Sequence, residues 1–193
     1  TKTGTGKLTL SNANTYTGLT SVSEGILVTD GNDRLASASS ITIADGADLE
    51  LGGDQTFSSF AGAGDIDLGD HVLTTTMARS TTFGGSFTAN QGSLVLDGNA
   101  TNIQTLTLTG QSDFNGDVIV TDATLELANT NLRSLGIHAV IELTDATLLV
   151  SQNSVVGSVI ERGVSDINET NSATLRTTLV ITESGTINAC LED

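Results

Sequence analysis

Two histidines are the residues best suited to acid–base chemistry, His71 in the stretch GDHVL and His138 in GIHAV. Hydrolysis by a serine, a histidine and an aspartate needs a nucleophile, a base and an orienting acid at one place. The sequence has no G-x-S-x-G elbow that would present the serine of such a triad. We therefore interpret both histidines as solvent-exposed corner residues and predict that the chain is not an enzyme.

Carboxylates offer a second kind of chemistry. Asp65 and Asp67 flank Ile66 and would share one face of a strand. Such a pair could serve a glycosidase, but we favour two solvent-facing residues beside a core isoleucine. The surrounding stretch AGAGDIDLGD, residues 61–70, also resembles a calcium-binding G-G-x-G-x-D repeat. Those repeats need tandem copies and this chain has one degenerate copy, so we expect no metal and no cofactor.

The composition limits the elements that could position any site. The 193 residues carry a net charge of −16, which disfavours nucleic-acid backbones and anionic membrane surfaces as partners. Proline and tryptophan are absent and aromatic residues make up 3% of the chain, so we expect a thin, aliphatic core. Cys190 is the only cysteine, which excludes an internal disulfide. No apolar block of a signal peptide or transmembrane helix is visible, so targeting parts of an exported protein would lie outside this sequence.

Short apolar segments of period 2, bounded by Gly, Asp, Asn, Ser or Thr, recur along the whole chain and predict a nearly all-β fold. Helical windows are scarce, and the two best candidates are residues 132–137 and 155–161. Seven segments share a pattern of Gly or Ala, one small or polar residue, and then aliphatic-x-aliphatic. Their first aliphatic residues are 17 to 31 positions apart and are Leu8, Leu27, Leu49, Ile66, Leu94, Leu125 and Leu148.

A period near 20 residues with strands of three to five residues predicts a β-solenoid with about three short strands per turn. We expect about eight turns, a rod of about 40 Å at the spacing between neighbouring strands. The longer intervals would hold inserted loops, such as residues 69–91 and 97–121. The absence of proline fits strands that are paired on both sides.

Residues 3–28, TGTGKLTLSNANTYTGLTSVSEGILV, resemble the passenger-associated transport repeat of bacterial autotransporters, also called the autotransporter-associated β-strand repeat. Asn12 stands where that pattern has Gly, and Leu19 also departs from it. Beyond these residues the match weakens to the glycine–aliphatic tail and the spacing. The residues that carry the repeat are Gly4, Gly6, Leu8, Leu10, Ser11, Asn14, Thr15, Tyr16, Thr17, Gly18, Thr20, Val22, Gly25 and Leu27.

The resemblance implies a right-handed parallel β-helix in a passenger exported through an outer-membrane barrel that is not part of this chain. Residues 1–193 would then be one solenoid segment of a larger passenger, with the best repeat in residues 1–30. Residues 151–193 are less regular and could form a cap. Within the first repeat, we expect NTYTG at a corner, with Val22, Ile26 and Val28 in the interior beside Leu8 and Leu10.

For function, the resemblance implies an adhesin, a self-association module or a stalk, secreted or on the bacterial cell surface. Its partner would be a host surface or matrix protein, a glycan, or another copy of the chain, and nucleic acid is not expected. One alternative is a β-helical polysaccharide-active enzyme, although only 7 basic residues are scattered through the chain. Another is a segment that assists secretion by folding outside the cell.

Overall fold

The computed structural model describes residues 1–89, 91–128, 139–151, 154–169, 175–181 and 186–188. These residues form strands and turns, and none of them is helical, so no helix in the described part is able to span a membrane. The strands build three sheets in which every pairing is parallel. The all-β parallel β-helix predicted from the sequence is therefore confirmed, with about seven turns.

The six-stranded sheet consists of β1 (Lys7–Leu10), β3 (Gly25–Thr29), β5 (Ala47–Leu51), β8 (Asp65–Gly69), β11 (Phe87–Ala89) and β14 (Asp113–Phe114). The seven-stranded sheet consists of β6 (Gln55–Phe57), β9 (Val72–Thr75), β12 (Ser93–Asp97), β15 (Val118–Thr121), β17 (Val140–Thr144), β19 (Ser154–Arg162) and β21 (Leu175–Ile181). The nine-stranded sheet consists of β2 (Thr20–Val22), β4 (Ser40–Ile43), β7 (Ser59–Gly62), β10 (Thr81–Phe83), β13 (Thr105–Leu108), β16 (Thr124–Leu127), β18 (Thr147–Val150), β20 (Asp166–Glu169) and β22 (Thr186–Asn188).

From β4 to β16 the chain visits the nine-, six- and seven-stranded sheets in strict order, which gives the predicted three strands per turn. From residue 139 onward the described strands alternate between the seven- and nine-stranded sheets alone. The described strands of residues 151–193, β19 to β22, extend these two sheets. The predicted cap stays a prediction because Cys190 and most of the residues around these strands lie outside the described part.

The core follows from the strict alternation along each strand, which turns every second side chain inward. Register stacks equivalent residues from turn to turn, as in the column Leu27, Leu49, Ile66 and Phe87. Six of the seven aliphatic positions that defined the sequence repeat are buried. The exception is Leu8, which is 44% exposed on the first strand of its sheet.

All five phenylalanines are buried, and four of them form a chain of ring contacts inside the middle turns. The ring centroids of Phe60 and Phe83 are 5.4 Å apart, those of Phe83 and Phe87 4.8 Å, and those of Phe87 and Phe114 6.2 Å. Aromatic pairs at such distances add stability beyond the area they bury. The sequence led us to expect an aliphatic core, and this aromatic cluster departs from that expectation.

Four expectations need correction. The candidate helix at 155–161 lies in strand β19, while the candidate at 132–137 lies outside the described residues. Ile26 and Val28 point outward and are half-buried, because Leu27 and Thr29 hold the inward positions of β3.

The segments 69–91 and 97–121 are not inserted loops, since they contain ordinary strands of the three sheets. The long intervals arise because the motif moves to the next sheet, from Ile66 in the six-stranded sheet to Leu94 in the seven-stranded sheet. It moves again to Leu125 in the nine-stranded sheet. A long interval is thus one turn plus one further strand. Finally, the turns number about seven rather than eight.

Candidate functional site

The outer face of the nine-stranded sheet is lined by small hydroxyl side chains. One column of outward residues runs through Ser21, Thr42 and Ala61, and continues from Thr82 to Thr107 and Glu126. A second column contains Ser40 and Ser59 and, further along, Thr105, Thr124 and Thr147. The first carboxylate on this face, Glu126, accepts hydrogen bonds from Thr107 Oγ1 at 2.8 Å and from Ser151 Oγ. The first column is therefore uncharged up to β13, while in the second column Ser59 is buried and its Oγ accepts a hydrogen bond from Arg79 Nε at 3.1 Å.

The outer face of the six-stranded sheet is acidic at its centre. Parallel register sets Asp48 beside Asp65 and Glu50 beside Asp67 on adjacent strands. These four residues and Thr88 line a shallow depression with a volume of about 230 Å³. Partial burial raises the pKa of Asp48 above its ordinary value of 3.8, and the charges of Asp65 and Glu50 raise it further. Like charges on neighbouring strands destabilise a sheet.

Most of these carboxylates already have partners within the protein. Asp65 Oδ1 accepts hydrogen bonds from Ser86 N at 2.9 Å and Ser86 Oγ at 2.8 Å, and Asp67 Oδ1 accepts one from Gly69 N at 2.9 Å. Glu50 pairs with Lys7, whose Nζ is 2.6 Å from Glu50 Oε2. Asp65 and Asp67 share an exposed face with Ile66 buried between them, as the sequence predicted. Their contacts fix corners and strands, and no group of His, Cys, Asp and Glu in the described residues has the arrangement to hold a metal ion.

His71 lies at the corner between β8 and β9, where its backbone N–H donates to the carbonyl of Leu68. Its side chain is about one-third exposed, and its Nδ1 is 4.0 Å from Asp54 Oδ1. The corner position predicted for His71 is confirmed. His138 lies outside the described residues.

The outer face of the seven-stranded sheet differs from the other two and was missed by the sequence reasoning. Val95 and Ile119 are neighbours on β12 and β15, both outward and half-buried. Outward aliphatic residues follow the same period-2 pattern as inward ones when both faces of a strand are apolar. The only sequence signal for this apolar outer face was the uninterrupted aliphatic run in SLVL and VIV.

The residues of the predicted repeat occupy the first turn. Leu8 and Leu10 lie on β1, Val22 is buried on β2, and Gly25 and Leu27 lie on β3. Gly25 has a φ of 66°, and a Cβ there would lie 2.6 Å from the carbonyl oxygen of Gly6. This corner therefore needs glycine. Gly4 and Gly6 belong to the exposed turn that precedes β1.

The NTYTG segment forms the connection between β1 and β2, as the predicted corner requires. Asn14 ties it to the next turn, because its backbone N and its Nδ2 both donate to the carbonyl oxygen of Arg34, at 3.0 and 2.9 Å. Tyr16 is 43% exposed, and its hydroxyl lies 2.8 Å from Thr20 Oγ1. Thr15, Thr17 and Gly18 are exposed.

Comparison with known proteins bears on this turn directly. The family model described as "Passenger-associated-transport-repeat" matches residues 1–28 and also residues 100–127. The chain is a segment of an autotransporter passenger. The first match covers the stretch that carries the resemblance seen in the sequence. The second match covers β13 to β16, where the sequence showed only the weak glycine–aliphatic tail of the repeat.

Two curated relatives agree with this assignment. The chain is 34% identical over 154 residues to "Adhesin BmaC autotransporter" of Brucella suis biovar 1 (strain 1330), covering 69% of this chain and 4% of that protein. It is 33% identical over 165 residues to "Probable autotransporter YfaL" of Escherichia coli (strain K12), covering 83% of this chain and 12% of that protein. The passenger segment thus spans a small part of each relative. No solved structure shows significant similarity to it.

The starts of the two matched ranges are 99 positions apart, and a shift of 98 positions brings the sequences of the two copies into register without a gap. Leu8 corresponds to Leu106, Tyr16 to Phe114 and Gly18 to Gly116. Thr20 and Val22 correspond to Val118 and Val120 in the same way. The strands correspond as well: β1 to β13, β2 to β15 and β3 to β16.

Proposed function

We propose that this passenger segment is an adhesive rod on the bacterial cell surface, and that the outer face of the nine-stranded sheet makes the contact. The observation that carries the proposal is the absence of charge among the outward residues of the first column from β2 to β13 in a chain of net charge −16. The partner is a matrix protein or a glycan of a host surface.

Electrostatics favours this face over the outer face of the six-stranded sheet. A strongly acidic rod is repelled by anionic surfaces at long range, so a close contact is least costly where the rod is uncharged. The six-stranded sheet presents Asp48, Glu50, Asp65 and Asp67 instead. Each hydroxyl of the nine-stranded sheet donates and accepts hydrogen bonds, and the rigid strands hold these groups in place before binding.

The repeat of the solenoid adds a second reason. Equivalent hydroxyls recur at about 4.8 Å along the stack, so an extended partner meets many weak contacts at once. The name of the Brucella relative, an adhesin, supports the same function. Three other roles compete with adhesion: self-association, a passive stalk and assistance to secretion.

The experiment measures binding of the 193-residue chain to immobilised matrix proteins and to a glycan array. We expect Thr42→Glu and Thr82→Glu, which place charge in the uncharged first column, to weaken binding by an order of magnitude or more. Thr56→Glu and Thr74→Glu are the matched controls, because both threonines are outward and half-buried on the seven-stranded sheet. Equal losses in both pairs, or no loss in either, would contradict the proposed face.

A further inference from the structure

Arg79 brings a positive charge to the edge of the outward face of the nine-stranded sheet. It is exposed and lies in the corner between β9 and β10. The corner is anchored from inside by Met77, which is 3% exposed, and from the preceding turn by the backbone N–H of Ala78, which donates to the carbonyl of Ser58 at 2.9 Å. The side chain of Arg79 therefore extends from a corner that is fixed on both sides.

A chain of serine hydroxyls holds one side of the Arg79 guanidinium. Its Nε donates to Ser59 Oγ at 3.1 Å, Ser59 Oγ donates to Ser40 Oγ at 3.0 Å, and Ser40 Oγ lies 3.0 Å from Ser58 Oγ. Ser59 is 2% exposed, so the acceptor that the guanidinium uses is fixed in the sheet. An arginine side chain carries five N–H donors in a planar fork, and this contact uses one of them. The group is therefore oriented, with the four donors on Nη1 and Nη2 left for other acceptors.

The charge of Arg79 is not neutralised within the described residues, although the chain carries 23 acidic residues against 7 basic ones. Other cations of the rod have oxygen partners of their own. Lys7 pairs with Glu50 at 2.6 Å, and Arg34 Nε donates to the carbonyl of Asp30 at 2.6 Å. In that part of the chain, Nη1 and Nη2 of Arg79 have no such partner, so this end of the guanidinium is open to an anionic group of a ligand.

The surroundings of Arg79 favour a saccharide over a peptide as the carrier of this anionic group. The strands β4, β7 and β10 beside it are paired on both sides, so no peptide strand can be added there. Their outward side chains in the first column are short, namely Thr42, Ala61 and Thr82. Threonine hydroxyls both donate and accept hydrogen bonds, as the hydroxyls of a sugar do. A planar carboxylate, or a sulfate with two oxygens on one side, matches the fork of an arginine.

We propose that Arg79 binds a carboxylate or sulfate group of an acidic glycan, whose neutral hydroxyls lie along the first column. This inference rests on the proposed adhesive face and names the class of its ligand. The rod as a whole carries a net charge of −16 and repels such a glycan at a distance. At physiological ionic strength that repulsion is screened beyond about 8 Å, so the direct contact with Arg79 decides which glycan stays bound.

The test titrates three oligosaccharides into the 193-residue chain by calorimetry at fixed ionic strength. The first carries uronic acid carboxylates, the second is the same oligosaccharide with these groups reduced to alcohols, and the third is a sulfated neutral oligosaccharide. We expect the two acidic probes to bind more tightly than the reduced one and to shift the Nε–Hε signal of Arg79 in NMR spectra.

Variants of Arg79 test the fork itself. Arg79→Gln should weaken binding of the acidic probes about tenfold, because it removes charge-assisted hydrogen bonds, and should leave the reduced probe unaffected. Arg79→Lys keeps the charge without the planar fork and should lose less. Arg162→Gln is the matched control, since it removes the same charge from an exposed position at the end of β19 in the seven-stranded sheet. Circular dichroism should show the same strand signal in all four proteins.

Three results would overturn the proposal. The first is equal affinity for the acidic and the reduced oligosaccharides. The second is an equal loss in Arg79→Gln and Arg162→Gln, because net charge and not the oriented fork would then explain the binding. The third is tighter binding of a glutamate-rich peptide than of either acidic oligosaccharide, since a peptide would then be the ligand.

The variants also separate this inference from the proposed adhesive face. If Thr42→Glu and Thr82→Glu weaken binding to host ligands and Arg79→Gln does not, the face stands and the anion site is wrong. If Arg79→Gln weakens binding of the acidic oligosaccharides while both threonine variants bind host ligands normally, the anion site stands and the face is wrong.

Discussion

The two copies of the passenger repeat share one pattern and differ in burial. Leu106 and Phe114 are enclosed in the second copy, whereas the corresponding Leu8 and Tyr16 are each more than 40% exposed in the first. Val22 and Leu27 are buried like their counterparts Val120 and Leu125. The difference follows from position, since the described residues place a turn on both sides of the second copy and on one side of the first. The motif specifies which side chains point inward, and the stack decides whether they are covered.

The copies also occupy different faces. In the first copy β1, β2 and β3 belong to the six-, nine- and six-stranded sheets, whereas β13, β15 and β16 belong to the nine-, seven- and nine-stranded sheets. The second copy is therefore shifted by one sheet around the axis. Because the three inward surfaces accept the same aliphatic pattern, the repeat is a property of the coil and not of one face.

The largest expected difference between the copies is the cost of removing the aromatic ring. Phe114→Ala leaves a cavity beside Phe87 and should lower the free energy of unfolding by about 4 kcal/mol. Tyr16→Ala removes a ring that is 43% exposed and should cost about 1 kcal/mol. Urea unfolding followed by circular dichroism measures both. Similar costs for the two variants would show that burial does not separate the copies.

A hydroxyl at the aromatic position of each copy gives a second comparison, with a smaller expected effect on stability. Phe114→Tyr puts a hydroxyl into the core and should cost about 1–3 kcal/mol. Adding Val118→Thr recreates the pair that Tyr16 and Thr20 form at 2.8 Å, and should recover part of that loss. The mirror variant Tyr16→Phe with Thr20→Val should change stability by less than about 0.5 kcal/mol, because both partners leave together. Thermal and urea unfolding of the unaltered chain and these three variants measures the costs. If Val118→Thr recovers none of the loss caused by Phe114→Tyr, the corners of the two copies differ in structure.

Much of the fold was predictable from the sequence, because period-2 alternation and a recurring glycine–aliphatic pattern are local. These features identified six buried positions and the first copy of the repeat. Exposure of Leu8 and Tyr16 was not predictable, since it depends on neighbours in the stack. The inward phase of β3 was misassigned at Ile26 and Val28, because a strand with aliphatic residues on both faces gives no signal for its direction. The acidic depression was equally hidden, as Asp48 and Asp65 become neighbours only through register.

The smallest expected difference in stability comes from the strand that stacks after each copy. Asp48 lies next to Ile26 after the first copy, and Thr147 lies next to Thr124 at the corresponding place after the second. Burial, then Asp65 and Glu50, raise the pKa of Asp48, so the folded chain takes up this proton at higher pH than the unfolded chain does. The ionised carboxylate therefore costs stability above the folded pKa.

Asp48→Asn removes that cost and should stabilise the protein at neutral pH by roughly 0.5 kcal/mol. The gain should shrink as the pH falls through the raised pKa and disappear below 3.8, where Asp48 is protonated in both states. Thr147→Asn, the matched change after the second copy, should show no such pH dependence. Urea midpoints of the three proteins between neutral and acidic pH measure the effect. A gain that persists below 3.8 would assign the stabilisation to the amide itself and not to relief of the charge that register brings beside the first copy.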